Sequence, residues 1–229
     1  MSPSISSSQV TIRCQGLLFD MDGILISSLD SVQRAWRRWA VLRGVDPDIA
    51  FKTAHGCRAV DTFAKLRPDL AAAKEIDILE GFEMTDFDDV APLPGAWELL
   101  TSLPIGCWTV VTSASGRVAR VRLKAGRIPL PPRLVVAEDV KRGKPHPDPY
   151  LAGAALLGLS PEDCVVFEDS SSGARAGRAA GCTVVATTFS DPIDTLDAAH
   201  YLIADLKGVA VELPPDDEGL SLRFTPLRG

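Results

Sequence analysis

The chain has 229 residues, of which 46% are apolar, and a formal net charge of −6. That length covers one α/β core with a small insertion, and the apolar share is sufficient to bury it. The acidic balance argues against nucleic acid, whose binders carry a basic face. The absence of any apolar run of about 18 residues argues against a membrane partner.

Residues 1–12 read as a flexible leader. The stretch Met1-Ser2-Pro3-Ser4-Ile5-Ser6-Ser7-Ser8 is Ser-rich and lacks the basic and apolar regions of a secretory signal. The first strong element is Gly16-Leu17-Leu18-Phe19, which stops abruptly at Asp20-Met21-Asp22-Gly23. A short continuous apolar run of this kind fits a strand buried on both faces of a parallel sheet. Similar runs recur at 107–111, 134–137, 164–167 and 183–186, with helical stretches at 117–126, 149–157 and 173–180 between the later ones. Alternating strand and helix predicts an α/β fold, a Rossmann-like parallel sheet with helices on both faces. Gly106, Gly158 and Gly181 fall where helices should end.

The alternation breaks between about Ser27 and Pro92. Helical spacing dominates there, as in Val32, Trp36, Trp39 and Ala40, and Pro92-Leu93-Pro94-Gly95 marks the return. The expected organisation is a core of residues 13–26 and 92–229 with a helical subdomain, 27–91, inserted after the first strand. Trp36 and Trp39 share one helix face and are expected in the core of that insertion. After Leu213 a polar loop is expected, and 220–224 as an added edge strand. Cys14, Cys57, Cys107, Cys164 and Cys182 form no CxxC pair, which suits ordinary core thiols in a reducing compartment, so a cytoplasmic protein is expected.

Ligands of open parallel sheets bind beyond the carboxyl ends of the strands. Four such ends carry polar groups: Asp20 and Asp22, Thr112-Ser113, Lys144 after the 134–137 run, and Glu168-Asp169. Singly, each has a bland reading as a turn, a helix cap or a solvated lysine. Together they supply what phosphoryl transfer needs. Asp20 is placed as nucleophile, with Asp22 two residues on to protonate the leaving oxygen and then activate water. Asp20 and Asp169 offer the hard oxygens magnesium prefers. Lys144 offsets negative charge, Thr112 donates to the phosphoryl group, and Ser113 beside it is a substrate-binding candidate.

These residues resemble the motifs of the haloacid dehalogenase-like hydrolases that carry a helical cap after the first strand. The likeness runs from about Cys14 to Ile203: Asp20-Met21-Asp22-Gly23, Thr112, Gly143-Lys144-Pro145-His146-Pro147 and Glu168-Asp169 followed by a helix. Ile24 departs from the Thr often found there. The resemblance implies an aspartyl-phosphate on Asp20. It also implies Mg2+ held by Asp20, the Asp22 carbonyl and Asp169, with Glu168 as an outer or alternative ligand. Members that dehalogenate lack the second Asp, so Asp22 points to a phosphatase or phosphomutase.

The segment His55-Gly56-Cys57-Arg58, with 140–151 and 165–169, is similar to the branch containing glycerol-3-phosphate and 2-deoxyglucose-6-phosphate phosphatases. His55 and Arg58 are therefore candidates for reading the substrate, the plain alternative being an Arg58–Asp61 surface pair. His146 reads as a rigid-loop residue and His200 as structural. The resulting expectation is a phosphatase of small phosphorylated metabolites, sugar or polyol phosphates, acting as a monomer or weak homodimer. The alternatives are a β-phosphoglucomutase-type phosphomutase and a non-catalytic binding protein on the same fold.

Overall fold

The computed structural model describes residues 8–213 and 219–227, so most of the expected leader (1–7) and of the expected polar loop (214–218) lie outside the described residues. In chain order the elements are β1 (Val10–Cys14), β2 (Gly16–Phe19), β3 (Ile26–Ser27), α1 (Leu29–Arg43), α2 (Pro47–Ala54), α3 (Ala59–Leu66) and α4 (Ala72–Glu83). They continue with β4 (Ala91–Pro92), α5 (Ala96–Ser102), β5 (Trp108–Val110), α6 (Gly116–Ala125), α7 (Asp148–Leu157) and β6 (Cys164–Glu168). The last are α8 (Ser171–Ala180), β7 (Thr183–Thr187), β8 (Tyr201–Ile203), β9 (Ala210–Glu212) and β10 (Leu220–Phe224).

Five strands form one parallel sheet in the order β5-β2-β6-β7-β8. Every residue of β2 and β6 is buried, as their unbroken apolar runs require. Successive side chains leave a strand on opposite faces. Leu17 and Phe19 accordingly pack with Leu99, Leu100, Ala119 and Leu123 of α5 and α6. Leu18 packs on the other face with Tyr150, Ala154, Ala174 and Ala176 of α7 and α8. The chain passes from β2 to β5 on one side and later to β6 on the other, so the topological switch point lies at the end of β2, where Asp20 sits.

Three expectations change. The leader does not extend to residue 12: Val10–Cys14 pairs antiparallel with β10, in register Val10↔Phe224 to Cys14↔Leu220. Its period-2 pattern turns Cys14 inward and leaves Thr11 and Arg13 exposed. The 220–224 strand is not an edge strand of the main sheet but the middle of a separate three-stranded antiparallel sheet, β1-β10-β9. The 134–137 run does not form a strand. Val135 makes one isolated bridge to Val111, because Pro131 and Pro132 remove donors upstream and a 3-10 turn begins at Ala137.

Helices α1–α4 bury their own cluster, centred on Trp36, Trp39, Phe63 and Leu79. Trp39 is fully enclosed and donates from Nε1 to Glu75 (2.9 Å), which Arg43 also grips from Nε (2.7 Å) and Nη2 (3.0 Å). The two chain crossings into this insertion lie side by side as the antiparallel pair β3–β4, with Ile26↔Pro92 and Ser27↔Ala91 in register. No helix among the described residues is long and apolar enough to cross a membrane.

Candidate active site

The end of β2 is anchored when Asp20 N donates to Phe167 O (2.9 Å). Asp20 is 9% exposed, and its Oδ1 accepts from Lys144 Nζ at 2.5 Å. The same ammonium donates to Glu168 Oε1 (2.5 Å) and to Val111 O (3.3 Å). Three strand ends and the loop before α7 thus meet at one nitrogen. Glu168 Oε1 also accepts from Tyr150 Oη (2.6 Å), while Oε2 accepts from the N–H groups of Asp169 (3.0 Å) and Ser170 (3.1 Å) and from Ser170 Oγ (3.0 Å). Its two oxygens are therefore filled, so among the acids of this cluster Asp20 and Asp169 keep acceptor capacity in hand.

Two glycines are dictated by this crowding. A Cβ on Gly173 would come within 1.7 Å of Glu168 Oε1. One on Gly23, whose φ of +83° already favours glycine, would come within 1.8 Å of Asp169 Oδ2.

The electrostatics are those of a site with too much negative charge. Burial, then the charges of Glu168 and Asp22, push the Asp20 carboxyl up to about 7 against the pull of Lys144. Burial, then Glu168 and Asp20, hold Asp169 well above the usual carboxylate range. Burial also works against ionised Glu168, but the charge and hydrogen bond of Lys144 and the Tyr150 hydroxyl hold it below its ordinary value. Lys144 stays protonated: the two acids outweigh its own burial and raise it. One oxygen from each of Asp20, Glu168 and Asp169 lies within 4.8 Å of the others. Asp20 and Asp169, with the filled Glu168 adding its charge beside them, offer hard oxygens that a divalent cation would fit in charge and chemistry.

Asp22 faces this cluster from the start of the insertion. Its Oδ1 accepts a short hydrogen bond from Ser28 Oγ, and Arg122 Nη1 lies 3.4 and 3.3 Å from its two oxygens. Thr112 is buried beside the cluster, with Oγ1 accepting from Ala114 N (3.1 Å). Ser113 Oγ instead donates to Gly56 O (3.1 Å), clasping the insertion to the core.

Of the two residues expected to read the substrate, Arg58 is already engaged. Its Nε and Nη2 fork Asp61 (2.7 and 2.9 Å), and Nη1 and Nη2 donate to the carbonyls of Ala137 (3.3 Å), Val140 (2.6 Å) and Lys141 (2.9 Å). The pair with Asp61 exists but is not a surface pair, for the Arg58 side chain is 8% exposed. It fastens α3 to the core loop, which a guanidinium does well because its planar fork satisfies several carbonyls at once. His55 and Arg58 both line the cavity; His55 Nε2 lies 3.4 Å from Asp191 Oδ1 and makes no hydrogen bond among the described residues.

Between insertion and core lies a cavity of about 400 Å³, lined by Asp20, Asp22, Thr112, Ser113 and Asp169 on the core side. Trp36 serves both the insertion core and the cavity wall. Residues not foreseen from the sequence complete it. Arg122, 3% exposed, bridges Asp22 to Glu83 (Nη2 to Oε1, 2.9 Å). In the sequence it is one of a run of basic residues on α6, which reads as a solvated face. Behind the cavity, Tyr150 holds Glu168; it lies in the 140–151 stretch, but nothing in the sequence marked its own role.

Residues 14–181 match the family profile described as haloacid dehalogenase-like hydrolase. The chain is 41% identical over 215 residues to hexitol phosphatase A of Escherichia coli (strain K12), covering 90% of this chain and 98% of that protein. It is 35% identical over 199 residues to glycerol-1-phosphate phosphohydrolase 1 of Saccharomyces cerevisiae (81% and 80% covered). A solved hydrolase from Pseudomonas syringae superposes with a TM-score of 0.73 at 25% identity, covering 84% of this chain and 94% of that one.

Proposed function

The chain belongs to the haloacid dehalogenase-like hydrolases, and within that family we propose that it is a magnesium-dependent phosphatase of small sugar or polyol monophosphates. The observation that carries this reading is the contact of Lys144 Nζ with Asp20 Oδ1 at the floor of a cavity that Asp22 also lines. The names of the two phosphatase relatives supply the substrate class.

In the proposed reaction an Asp20 oxygen attacks phosphorus, forming an acyl-phosphate bond as the bond to the leaving alkoxide breaks. Asp22, protonated, gives its proton to that alkoxide. As a carboxylate it then takes a proton from water, whose oxygen attacks phosphorus and releases Asp20 and inorganic phosphate. Lys144 neutralises charge at the nucleophile throughout, and Thr112 with the amide groups leading into α6 receives the phosphoryl oxygens. Asp20, Asp169 and the Asp22 carbonyl would hold magnesium, which supplies countercharge to the phosphoryl group. Glu168 acts through Lys144, fixing its position. Residues 27–91 serve as a cap that excludes water when closed. The five cysteines are free thiols, which fits the reducing cytoplasm.

The test is phosphate release from a panel of sugar, polyol and nucleotide monophosphates, with magnesium or with a chelator. Release is expected with magnesium and polyol or sugar phosphates, and loss of at least about 10⁴-fold in Asp20→Asn. Full activity of that variant rejects Asp20 as nucleophile. Interconversion of hexose 1- and 6-phosphates without net release of phosphate identifies a mutase instead.

A further inference from the structure

The half of the cavity that receives the leaving group is built by α1 and α4, and its charges are of one sign. Glu80 and Glu83 lie three residues apart on α4, the spacing that puts both on one face. Both line the cavity beside Trp36, Ile76 and Leu79. Their side chains are 14% and 11% exposed, so neither is a solvated surface acid. The Glu80 carboxylate makes no hydrogen bond among the described residues, and its nearest cation, Arg117 Nη1, stands 3.9 Å away on a 70% exposed side chain.

The cations of the cavity wall are committed elsewhere. Arg58 is spent on Asp61 and three carbonyls. Arg122 is held between Asp22 and Glu83, but incompletely: its Nε is buried without an acceptor. A guanidinium pairs side-on through Nε and Nη2 together, and Glu83 takes Nη2 alone. Arg122 thus balances Asp22 and Glu83 and leaves Glu80 with no cation nearer than Arg117 among the described residues, in a wall that is otherwise apolar.

We propose that Glu80 and Glu83, the latter held by Arg122, form a hydroxyl-reading subsite that selects uncharged polyhydroxy leaving groups and rejects those bearing a second anionic group. The inference rests on the phosphatase reading and narrows it. Hydroxyls can donate to the two carboxylates. A carboxylate or second phosphate at the same place meets Glu80 and Glu83, while the one guanidinium beside them already balances Asp22 and Glu83, so the added charge goes unmatched and like charges are brought together. Trp36 and Leu79 receive the carbon chain.

The matched probes are sorbitol 6-phosphate and 6-phosphogluconate, which differ in having a CH2OH or a carboxylate at the end remote from the phosphate. With magnesium present, kcat/KM is expected to favour sorbitol 6-phosphate by about 10²-fold or more. Glu80→Gln and Glu83→Gln, which keep an acceptor but remove the charge, are each expected to shrink that ratio about tenfold, chiefly through KM for the anionic substrate. A wild-type ratio near one, or a ratio unmoved in both variants, overturns the subsite while leaving the phosphatase standing. No phosphate release even from p-nitrophenyl phosphate overturns the phosphatase reading and this inference with it. The wild-type ratio alone decides the matter if a variant fails to fold.

Discussion

The two walls of the cavity are made on different terms. Behind the core wall, Lys144, Glu168 and Tyr150 are buried and joined by hydrogen bonds of 2.5–2.6 Å, with Glu168 at the end of β6, Tyr150 on α7 and Lys144 in the loop before it. On the wall from α1 and α4, aromatic and aliphatic side chains carry two acids of which one makes no hydrogen bond among the described residues. The phosphoryl group is the same in every substrate and its charge distribution is known in advance, so the core wall can be rigid and fully satisfied. The alcohol varies, and a wall meant to discriminate it must keep polar groups unpaired until the substrate arrives.

The largest test of this division is Asp22→Asn, which removes the acid that faces both walls. Hydrolysis of alkyl phosphates is expected to fall about 10²–10⁴-fold. p-Nitrophenyl phosphate, whose phenolate departs without protonation, should lose far less in its first step, seen as a burst of nitrophenolate. Equal losses in the first turnover for both substrates would break the assignment of Asp22 to the leaving group.

Arg58→Ala probes the fastening of one wall to the other. Three core carbonyls and Asp61 lose their donor, so thermal unfolding should show a loss of about 1–3 kcal/mol. KM should rise more than kcat falls, since no step of the chemistry uses this residue. Arg58→Lys should recover little, because an ammonium cannot reproduce the planar fork. A fall in kcat with KM unchanged would return Arg58 to the reaction.

The smallest effect sharpens the core wall alone. Asp20 and Asp169 are raised in the folded chain, Asp20 to about 7. Between the ordinary Asp value and that point the folded state holds protons that the unfolded state has released. Stability with a chelator present should therefore fall as pH rises through that window. A divalent cation competes with those protons, so the melting temperature gained on adding magnesium should grow from pH 5 to 7.5, and Asp169→Asn should flatten the trend. An increment independent of pH would show that the ion binds elsewhere.

The same division explains what was legible beforehand. Lys144, in a loop, was legible only from its Gly143-Lys144-Pro145 motif. Asp20 and Asp169 could be found because buried parallel strands announce themselves as apolar runs, and the sheet brings their ends together whatever the loops do. The main sheet's β2, β6 and β7 were clear for that reason, whereas β8 and β9 are three residues each and carry too short a pattern. Arg122 was hidden because its burial depends on how an inserted subdomain lies across α6, a fact that no local spacing encodes. The fastening role of Arg58 was hidden for the complementary reason: its charge suggested a ligand, and only the loop at 137–141 reveals the carbonyls it holds.

The β3–β4 pair has a consequence for how the chain is assembled. Because Ser27 and Ala91 are partners across a ladder, about 5 Å apart, the insertion departs and returns through one narrow neck. For the sheet this segment is a loop whose ends are already closed, and closure entropy grows by only about 0.6 kcal/mol for each doubling of loop length. The scaffold can thus tolerate an insertion of almost any size at that neck. The face that chooses the alcohol can be lengthened, shortened or exchanged with little thermodynamic cost to the strands that hold Asp20.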